Sequence, residues 1–311
     1  MVEASGGSVI LIGASCARRS ARGWRLRAAV LVASFLALTL PAWAGDDQEI
    51  RFEVAPGVTA HARLLEDGWI EVGTSRSDQR QRLQASSDEE GHSRLDVDDY
   101  NFDGHLDLAS SASVGQVNES VVVYLYDARH GQFRELVSPT GPAIQCEGFW
   151  SLLPDVASRT LTSSCRSGPM WYSDVYRYQG QQLYLYRSMR MAYLDSERLA
   201  PLLTLDLPEE SGPLAVWSSF DPAGNAVEHA LGDGLDVPEH GVALRGFEAT
   251  VISTKLSFYS EVGQASTRRY LVKGDRVELL DADVDGNWLQ LRYRNASRGP
   301  VVGWVKLAEA P

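Results

Sequence analysis

The sequence has few of the residues from which many metal centres and catalytic sites are built. Its 311 residues include three cysteines and six histidines. The histidines are scattered along the chain, at His61, His92, His105, His130, His229 and His240. No H-E-x-x-H pair and no G-x-S-x-G turn occurs. Carboxylates are abundant enough to pair as in a glycosidase, but a sequence does not set their separation. The sequence therefore predicts a protein that is not an enzyme.

Long apolar runs are also lacking, with one exception near the N-terminus. The run "AAVLVASFLALTL" starts at Ala28, follows the basic stretch "RRSARGWRLR", and precedes Pro41 and the small-x-small pattern that ends at Ala44. It is shorter than the ~20 residues of a membrane-spanning helix. The pattern predicts a signal peptide over residues 1–44, so the protein would be exported with no membrane span after cleavage. A membrane anchor is the alternative.

Basic residues are outnumbered by acidic ones, and the net charge is −12. Cleavage after Ala44 would remove five arginines and one glutamate, leaving 24 basic and 40 acidic residues and a net charge of −16. Such a chain repels nucleic acid and anionic membranes. The charge favours cations or a basic protein as partners.

The predicted mature chain keeps two cysteines, Cys146 and Cys165. An even pair in an exported protein predicts a disulfide bond. Zinc is the alternative, although two cysteines without a nearby histidine provide too few ligands.

No long helical period is present, and the fold class that follows is mainly β. Short aromatic and β-branched segments alternate with Gly, Asn, Asp and Pro turns. The clearest are "WIEVG", "VVVYLYD", "VYRYQGQQLYLYRS", "RVELL" and "WLQLRYR". Residues 205–247 are rich in Pro, Gly and acidic residues, which predicts a connecting region between a β domain over 45–204 and a smaller domain over 248–311.

The stretch "RLDVDDYNFDGHLDLAS", residues 94–110, crowds five acidic side chains into twelve residues. Within it the pattern D-x-N-x-D-G-x-x-D directs oxygen atoms at one centre, with a glycine for the sharp turn. The predicted ligands are the side chains of Asp99, Asn101, Asp103 and Asp107 and the backbone carbonyl of His105. Hard oxygen ligands with three carboxylates favour calcium. A metal-free acidic turn is the alternative.

A second acidic stretch, "DADVDGNWLQL", repeats only the first half of that pattern. Asp281, Asp283, Asp285 and Gly286 match, but Leu289 and Arg292 stand where ligands are required. Strand-like segments flank it directly, so a hairpin turn is the prediction.

The segment from about Gln84 to Leu185 contains "DDYNFDGHLDL", "VVVYLYDARHGQF", "RTLTSSCRSG" and "SDVYRYQGQQLYL". It resembles a family of exported bacterial proteins whose Asp-rich loop lies in a β-propeller-like fold. The best understood type is a periplasmic immunity protein that binds calcium and blocks a lysozyme-like effector delivered by a type IV secretion system. The resemblance implies a propeller-like or irregular antiparallel β domain, a periplasmic or secreted location, and the same five calcium ligands. No second motif places inhibitory contact residues.

Residues 250–309 resemble a bacterial SH3-like barrel, through "YLVKGDRVELL", "NWLQLRY" and "GWVKL". Such barrels often bind peptidoglycan peptides or proteins. The resemblance implies a small SH3-like β-barrel at the C-terminus, with Tyr270, Trp288 and Trp304 as candidate ligand-binding residues. For so small a barrel, the favoured interpretation is that these aromatic residues form its core.

Two functional hypotheses follow. The first is a calcium-binding immunity protein or inhibitor that binds a lysozyme-like peptidoglycan hydrolase. The second is a cell-envelope module that holds peptidoglycan peptide or a protein partner through the SH3-like barrel.

Overall fold

The computed structural model describes residues 49–295, 297 and 299–307. In this part of the chain there are 22 β-strands and one four-residue helix. The mainly β fold class is thereby confirmed. Among the described residues no helix is long and apolar enough to cross a membrane. The predicted signal peptide over 1–44 lies outside the described residues.

The first sheet is a four-stranded antiparallel meander in the order β1-β2-β3-β4. Its strands are β1 Glu49–Ala55, β2 Val58–Leu64, β3 Trp69–Thr74 and β4 Ser77–Gln84. Alternate residues of β3, such as Ile70 and Val72, are buried, because side chains alternate between the two faces of a strand. The segment "WIEVG" therefore forms a strand, as its pattern predicts.

The second sheet pairs β5, β6, β7 and β8 in order, with the short β9 added to β7. The strands are β5 Arg94–Asp98, β6 Asp107–Val114, β7 Asn118–Asp127, β8 Gln132–Glu135 and β9 Phe149–Trp150. Buried side chains of the first sheet share a core with Leu95, Leu108 and Tyr124 of the second. This core fixes both strands that flank the acidic stretch.

The third sheet has six strands in the order β10-β11-β12-β13-β15-β16. They are β10 Leu153–Asp155, β11 Thr160–Ser167, β12 Met170–Gln179, β13 Gln182–Met191, β15 Leu214–Phe220 and β16 Ala226–Asp233. Its Leu161, Tyr176 and Leu185 share a core with Tyr100 and Phe102 of the acidic stretch.

Residues 205–247, predicted to be a connecting region, contain β15 and β16 of this sheet. These two strands contribute the buried residues Ala215, Val216 and Leu231, each at most 1% exposed. The Pro, Gly and acidic residues of the surrounding turns indicated a connector. Turn composition does not reveal that β15 pairs with β13 and that β16 pairs with β15. The domain boundaries themselves stay predictions.

The C-terminal part contains a five-stranded sheet in the order β14-β17-β20-β21-β22 and a two-stranded sheet, β18-β19. The helix α1, Ser196–Leu199, precedes them. The strands are β14 Leu203–Asp206, β17 Glu248–Val251, β18 Lys255–Ser257, β19 Tyr270–Val272, β20 Arg276–Ala282, β21 Trp288–Asn295 and β22 Gly299–Lys306. In the described residues these sheets do not close into a barrel, and the SH3-like character stays a prediction.

One glycine allows the third sheet and the C-terminal sheet to approach each other. Phe247 donates its backbone N–H to the carbonyl of Leu231 and accepts one from Leu279. A Cβ atom on the preceding Gly246 would overlap the carbonyl oxygen of Leu279. Only glycine fits this contact, so the segment can bridge β16 and β20. Val216 and Leu231 accordingly belong to the same core as the C-terminal strands.

Candidate metal centre

The acidic stretch forms the connection of the β5–β6 hairpin. Asp98 at the end of β5 pairs with Asp107 at the start of β6, and residues 99–106 make the loop. Gly104 has a φ of 88° and Phe102 a φ of 58°. The left-handed conformation is easy for glycine but costly for phenylalanine, so the surrounding contacts must hold Phe102 in place.

Side-chain oxygens of the loop accept hydrogen bonds from backbone N–H groups of the same loop. The Asp99 carboxylate accepts the N–H of Asp103 at 3.1 Å and that of Gly104 at 2.8 Å. The amide oxygen of Asn101 also accepts from the Asp103 N–H, at 3.0 Å. Asp103 Oδ1 accepts the backbone N–H of His105 at 2.9 Å and lies 2.9 Å from Nδ1 of the same residue. The first three predicted ligands are thus positioned on one tight loop.

Asp107 is the buried member of the set, with no accessible surface. Its two oxygens accept backbone N–H groups, Oδ2 from Tyr100 at 2.9 Å and Oδ1 from Tyr126 at 2.8 Å. Burial raises the pKa of Asp107 to about 7 against the lowering effect of these bonds, and the charges of Asp103 and Asp99 raise it further. Three carboxylates therefore face one another closely enough for mutual repulsion.

Aromatic side chains anchor the loop on its other side. Tyr100 and Phe102 are 5% and 6% exposed and pack in the core shared with the third sheet. The Phe102 ring meets Tyr178 edge to face, with centroids 6.4 Å apart. Burial, followed by the charges of the three loop aspartates, raises the pKa of Tyr178. The ring of Tyr178 thus packs against the loop, and its hydroxyl lies close enough to the loop aspartates for their charges to affect its pKa.

The donor set suits a hard cation by its chemistry: three carboxylates, one amide oxygen and one carbonyl. Within the described residues, no group of three or more His, Cys, Asp or Glu side chains is arranged to hold a metal ion. The loop oxygens are instead occupied by amide groups of the loop itself. Asp99, Asn101, Asp103, His105 and Asp107 lie together on one short loop, and calcium at this position is a prediction.

The second acidic stretch forms a turn between β20 and β21. Asp283 Oδ1 accepts the backbone N–H groups of Asn287 at 2.6 Å and Trp288 at 2.7 Å, and so caps the turn. Asp281 points elsewhere and forms an ion pair with Arg190. Asp285 is exposed. This is the arrangement of a hairpin turn.

Cys146 and Cys165 form a disulfide bond, as predicted. The bond joins the segment before β9 to β11. Next to it, the fully buried Asp174 accepts the backbone N–H groups of Gln145 and Cys146, the latter at 2.8 Å. Burial raises the pKa of Asp174 to about 6 despite these bonds. Because both sulfur atoms take part in the disulfide bond, the zinc alternative for the two cysteines is wrong.

The three C-terminal aromatic residues lie in different environments. Trp288 is 8% exposed and meets Tyr259 edge to face at 5.1 Å. Trp304 is partly buried, and its backbone bridges to Tyr259. Tyr270 is 54% exposed, with the Lys255 ammonium 4.9 Å from its ring centre. Of the three, Tyr270 offers most surface to a ligand.

A cavity of about 540 Å³ lies against the acidic loop, and Asn101, Phe102 and Asp103 form part of its wall. Three exposed arginines that sequence reasoning missed line it as well: Arg129, Arg134 and Arg159. In the described part of the chain none of them makes an ion pair with a side chain. The Arg159 guanidinium lies 5.6 Å from the ring centre of Phe102. No sequence signal joins these positions, because Arg129 lies in the turn after β7, Arg134 on β8 and Arg159 in the turn before β11.

No protein-family model matches this chain, and no curated protein matches it. The two resemblances described from the residues therefore stay predictions.

Proposed function

We propose that this protein is an exported calcium-binding inhibitor that binds a cell-wall hydrolase and blocks it without performing chemistry. The observation that carries the proposal is the position of the acidic loop, which forms one wall of the cavity of about 540 Å³. A cation held by that loop would stiffen the wall of a concave surface. Concave surfaces with a few convergent polar groups are common binding sites.

The side chains of Asp99, Asn101, Asp103 and Asp107 and the carbonyl of His105 would hold the ion. Calcium supplies positive charge that offsets the repulsion among the carboxylates, and it fixes the loop. The buried contacts of Phe102 transmit that rigidity to the cavity wall, since its ring packs under Arg159.

The overall charge supports a basic partner. The predicted mature chain has a net charge of −16, which accelerates encounter with a basic protein. Arg129, Arg134 and Arg159 give the cavity a local charge of the opposite sign, suited to an acidic group on the partner. A lysozyme-like hydrolase with catalytic carboxylates in its cleft combines both features.

The test is hydrolysis of purified peptidoglycan by a panel of lysozyme-like enzymes, with and without the mature protein in calcium. A molar excess is expected to slow at least one enzyme. The variant Arg134→Glu is expected to relieve inhibition, whereas Arg268→Glu, an exposed arginine in the C-terminal part, is the matched control and should not.

The competing function is peptidoglycan binding, which the exposed Tyr270 favours. Two results together would contradict the inhibitor proposal and favour a cell-envelope module. The protein would inhibit no enzyme of the panel, and it would sediment with peptidoglycan unless it carried Tyr270→Ala. Because Tyr270 is largely exposed, this substitution should leave the fold intact.

A further inference from the structure

Arg187 carries a buried charge that has no carboxylate partner. The side chain lies on β13 and the residue is 2% exposed. Its Nη1 donates to the carbonyls of Pro238 and Glu239, at 2.6 and 3.1 Å, and its Nη2 donates to that of Val242 at 2.6 Å. The Nε atom is buried without a hydrogen-bond partner in the described structure. Carbonyl dipoles satisfy part of the guanidinium but do not neutralise it.

A second guanidinium and an imidazole lie close to Arg187, each in contact with the same tyrosine ring, and only the guanidinium of Arg177 adds a permanent positive charge. Tyr186 lies at a bulge between β12 and β13. Its ring centre is 5.0 Å from the guanidinium carbon of Arg177 and 4.9 Å from that of Arg187. The His240 ring meets the same tyrosine edge to face at 5.1 Å. Arg177, like Arg187, makes no ion pair with another described residue.

A cavity of about 320 Å³ lies between the third sheet and the segment 237–240, next to these groups. The buried Arg187 and the partly buried Tyr186 and His240 line it. Hydroxyl groups are supplied by Ser158, Thr160 and Thr162. Val175 and Val237 add apolar surface. The cavity therefore offers cationic, hydroxyl and apolar contacts to one small molecule.

The acidic residues of this cavity limit the charge of a ligand. Asp155 and Glu239 line it, and both residues are exposed. The Asp155 carboxylate is already engaged by Ala157 and Ser158. Solvent screens these two exposed carboxylates, so the buried guanidinium of Arg187 dominates the potential inside the cavity. The carboxylates offset part of that potential, which leaves about one negative charge of a ligand to be compensated.

We propose that this cavity binds a small organic monocarboxylate, with its carboxylate toward Arg187 and His240 and its apolar part against Tyr186 and Val175. The guanidinium of Arg177, which lies 5.0 Å from the ring centre of Tyr186, strengthens the positive potential. This site is separate from the acidic loop and does not depend on the inhibitor function.

The proton affinity of His240 provides an independent readout. Burial lowers the pKa of His240, and the charges of Arg177 and Arg187 lower it further, while Asp155 opposes them. A bound carboxylate adds a negative charge next to the imidazole and should raise that pKa.

The experiment titrates the full mature protein with isovalerate and follows the ring resonances of Tyr186 and His240 by NMR. Saturable shifts and a rise in the pKa of His240 are expected. Arg177→Gln should weaken binding by about tenfold, the size of one nearby charge. The side chain of Arg177 is only partly buried and donates no hydrogen bond in the described structure, so this variant should fold. Arg166→Gln, which removes a guanidinium stacked on Trp171, is the matched control and should bind as the parent does.

Isobutylamine tests whether the ligand must be negatively charged, because it has a similar apolar part but is a cation. Inorganic phosphate tests whether a second negative charge is tolerated. Neither compound is expected to shift the ring resonances of Tyr186 and His240. Tighter binding of phosphate than of isovalerate would overturn the monocarboxylate assignment. Absence of saturable shifts with isovalerate, or equal weakening by Arg177→Gln and Arg166→Gln, would overturn the site.

Discussion

Asp103 lies in the middle of the acidic loop and Asp107 follows the loop at the start of β6, and the two have different surroundings. Asp103 is exposed, and its carboxylate caps the backbone of His105. Asp107 is buried and holds the backbone of β7 through Tyr126. Replacing Asp107 would therefore disturb the core, whereas Asp103 can be replaced with the core intact.

We expect calcium to bind with one site and to raise the melting temperature. The ion binds the folded loop and not the dispersed carboxylates of the unfolded chain. At about a hundredfold excess over the dissociation constant the rise should be roughly 5 °C. Asp103→Ala should abolish the calcium-induced rise, while Asp283→Ala should lower the melting temperature itself and leave that rise unchanged. Differential scanning calorimetry with and without calcium measures both effects. Equal losses of the calcium effect in the two variants would show that the ranking of the two loops is incorrect.

Asp174 connects stability to pH. Its pKa is raised from 3.8 to about 6 by burial. Between these values the folded protein keeps a proton that the unfolded chain has released, so stability decreases as pH rises from about 4 to about 6. The size of the effect is up to about 3 kcal/mol, since one pKa unit corresponds to about 1.4 kcal/mol.

Asp174→Asn removes the ionisation and keeps an oxygen that can accept from Cys146. Relative to the parent, its free energy of unfolding should therefore increase over this pH range and then level off. Urea unfolding at several pH values measures the difference. Asp221→Asn is the control, because Asp221 is in a surface turn and its pKa is lowered. Parallel pH profiles for the parent and Asp174→Asn would contradict the assignment.

Among the structural elements, the disulfide fixes a segment that has little regular structure. Residues 136–148 lie between β8 and β9, and the bond ties Cys146 to β11. The sequence separation of 19 residues makes the closed loop long enough to restrict the unfolded chain.

The double variant Cys146→Ala/Cys165→Ala should lose about 3 kcal/mol of stability. The expected observation is a lower urea midpoint that no longer responds to reductant, while the parent with reductant approaches the midpoint of the variant. The calcium-induced rise in melting temperature should persist, because the acidic loop lies on a different hairpin. An unchanged midpoint would mean that the bond does not contribute to stability.

For the whole molecule, the excess of acidic residues determines how a partner is approached. The predicted mature chain has a net charge of −16. Salt screens the electrostatic attraction of a partner beyond a Debye length of about 8 Å at physiological ionic strength. If the proposed hydrolase is basic, its association rate constant with this protein should fall steeply as salt increases, with a smaller change in the dissociation rate constant. Stopped-flow association at several salt concentrations measures the dependence. An association rate that is insensitive to salt would indicate a mainly apolar contact.

Local features of the sequence predicted much of this fold. Alternating apolar residues and turn residues report strands within a few positions, which is why "WIEVG", "VVVYLYD" and the hairpin "VYRYQGQQLYLYRS" form β3, β7 and β12–β13. The acidic loop was predictable for the same reason, since its polar groups are close in sequence. The disulfide required only the count of cysteines in a chain predicted to be exported.

The sequence by itself thus determined the β character, the hairpin loop and the disulfide, because each depends on neighbouring residues or on a count. The tertiary structure alone decided the pairing of β15 with β13, the burial of Asp174 and the approach at Gly246. It also brought Arg177, Tyr186 and His240 together from separate segments. The physical reason is that desolvation and long-range pairing depend on which surfaces meet, and the separation of residues along the chain does not specify this.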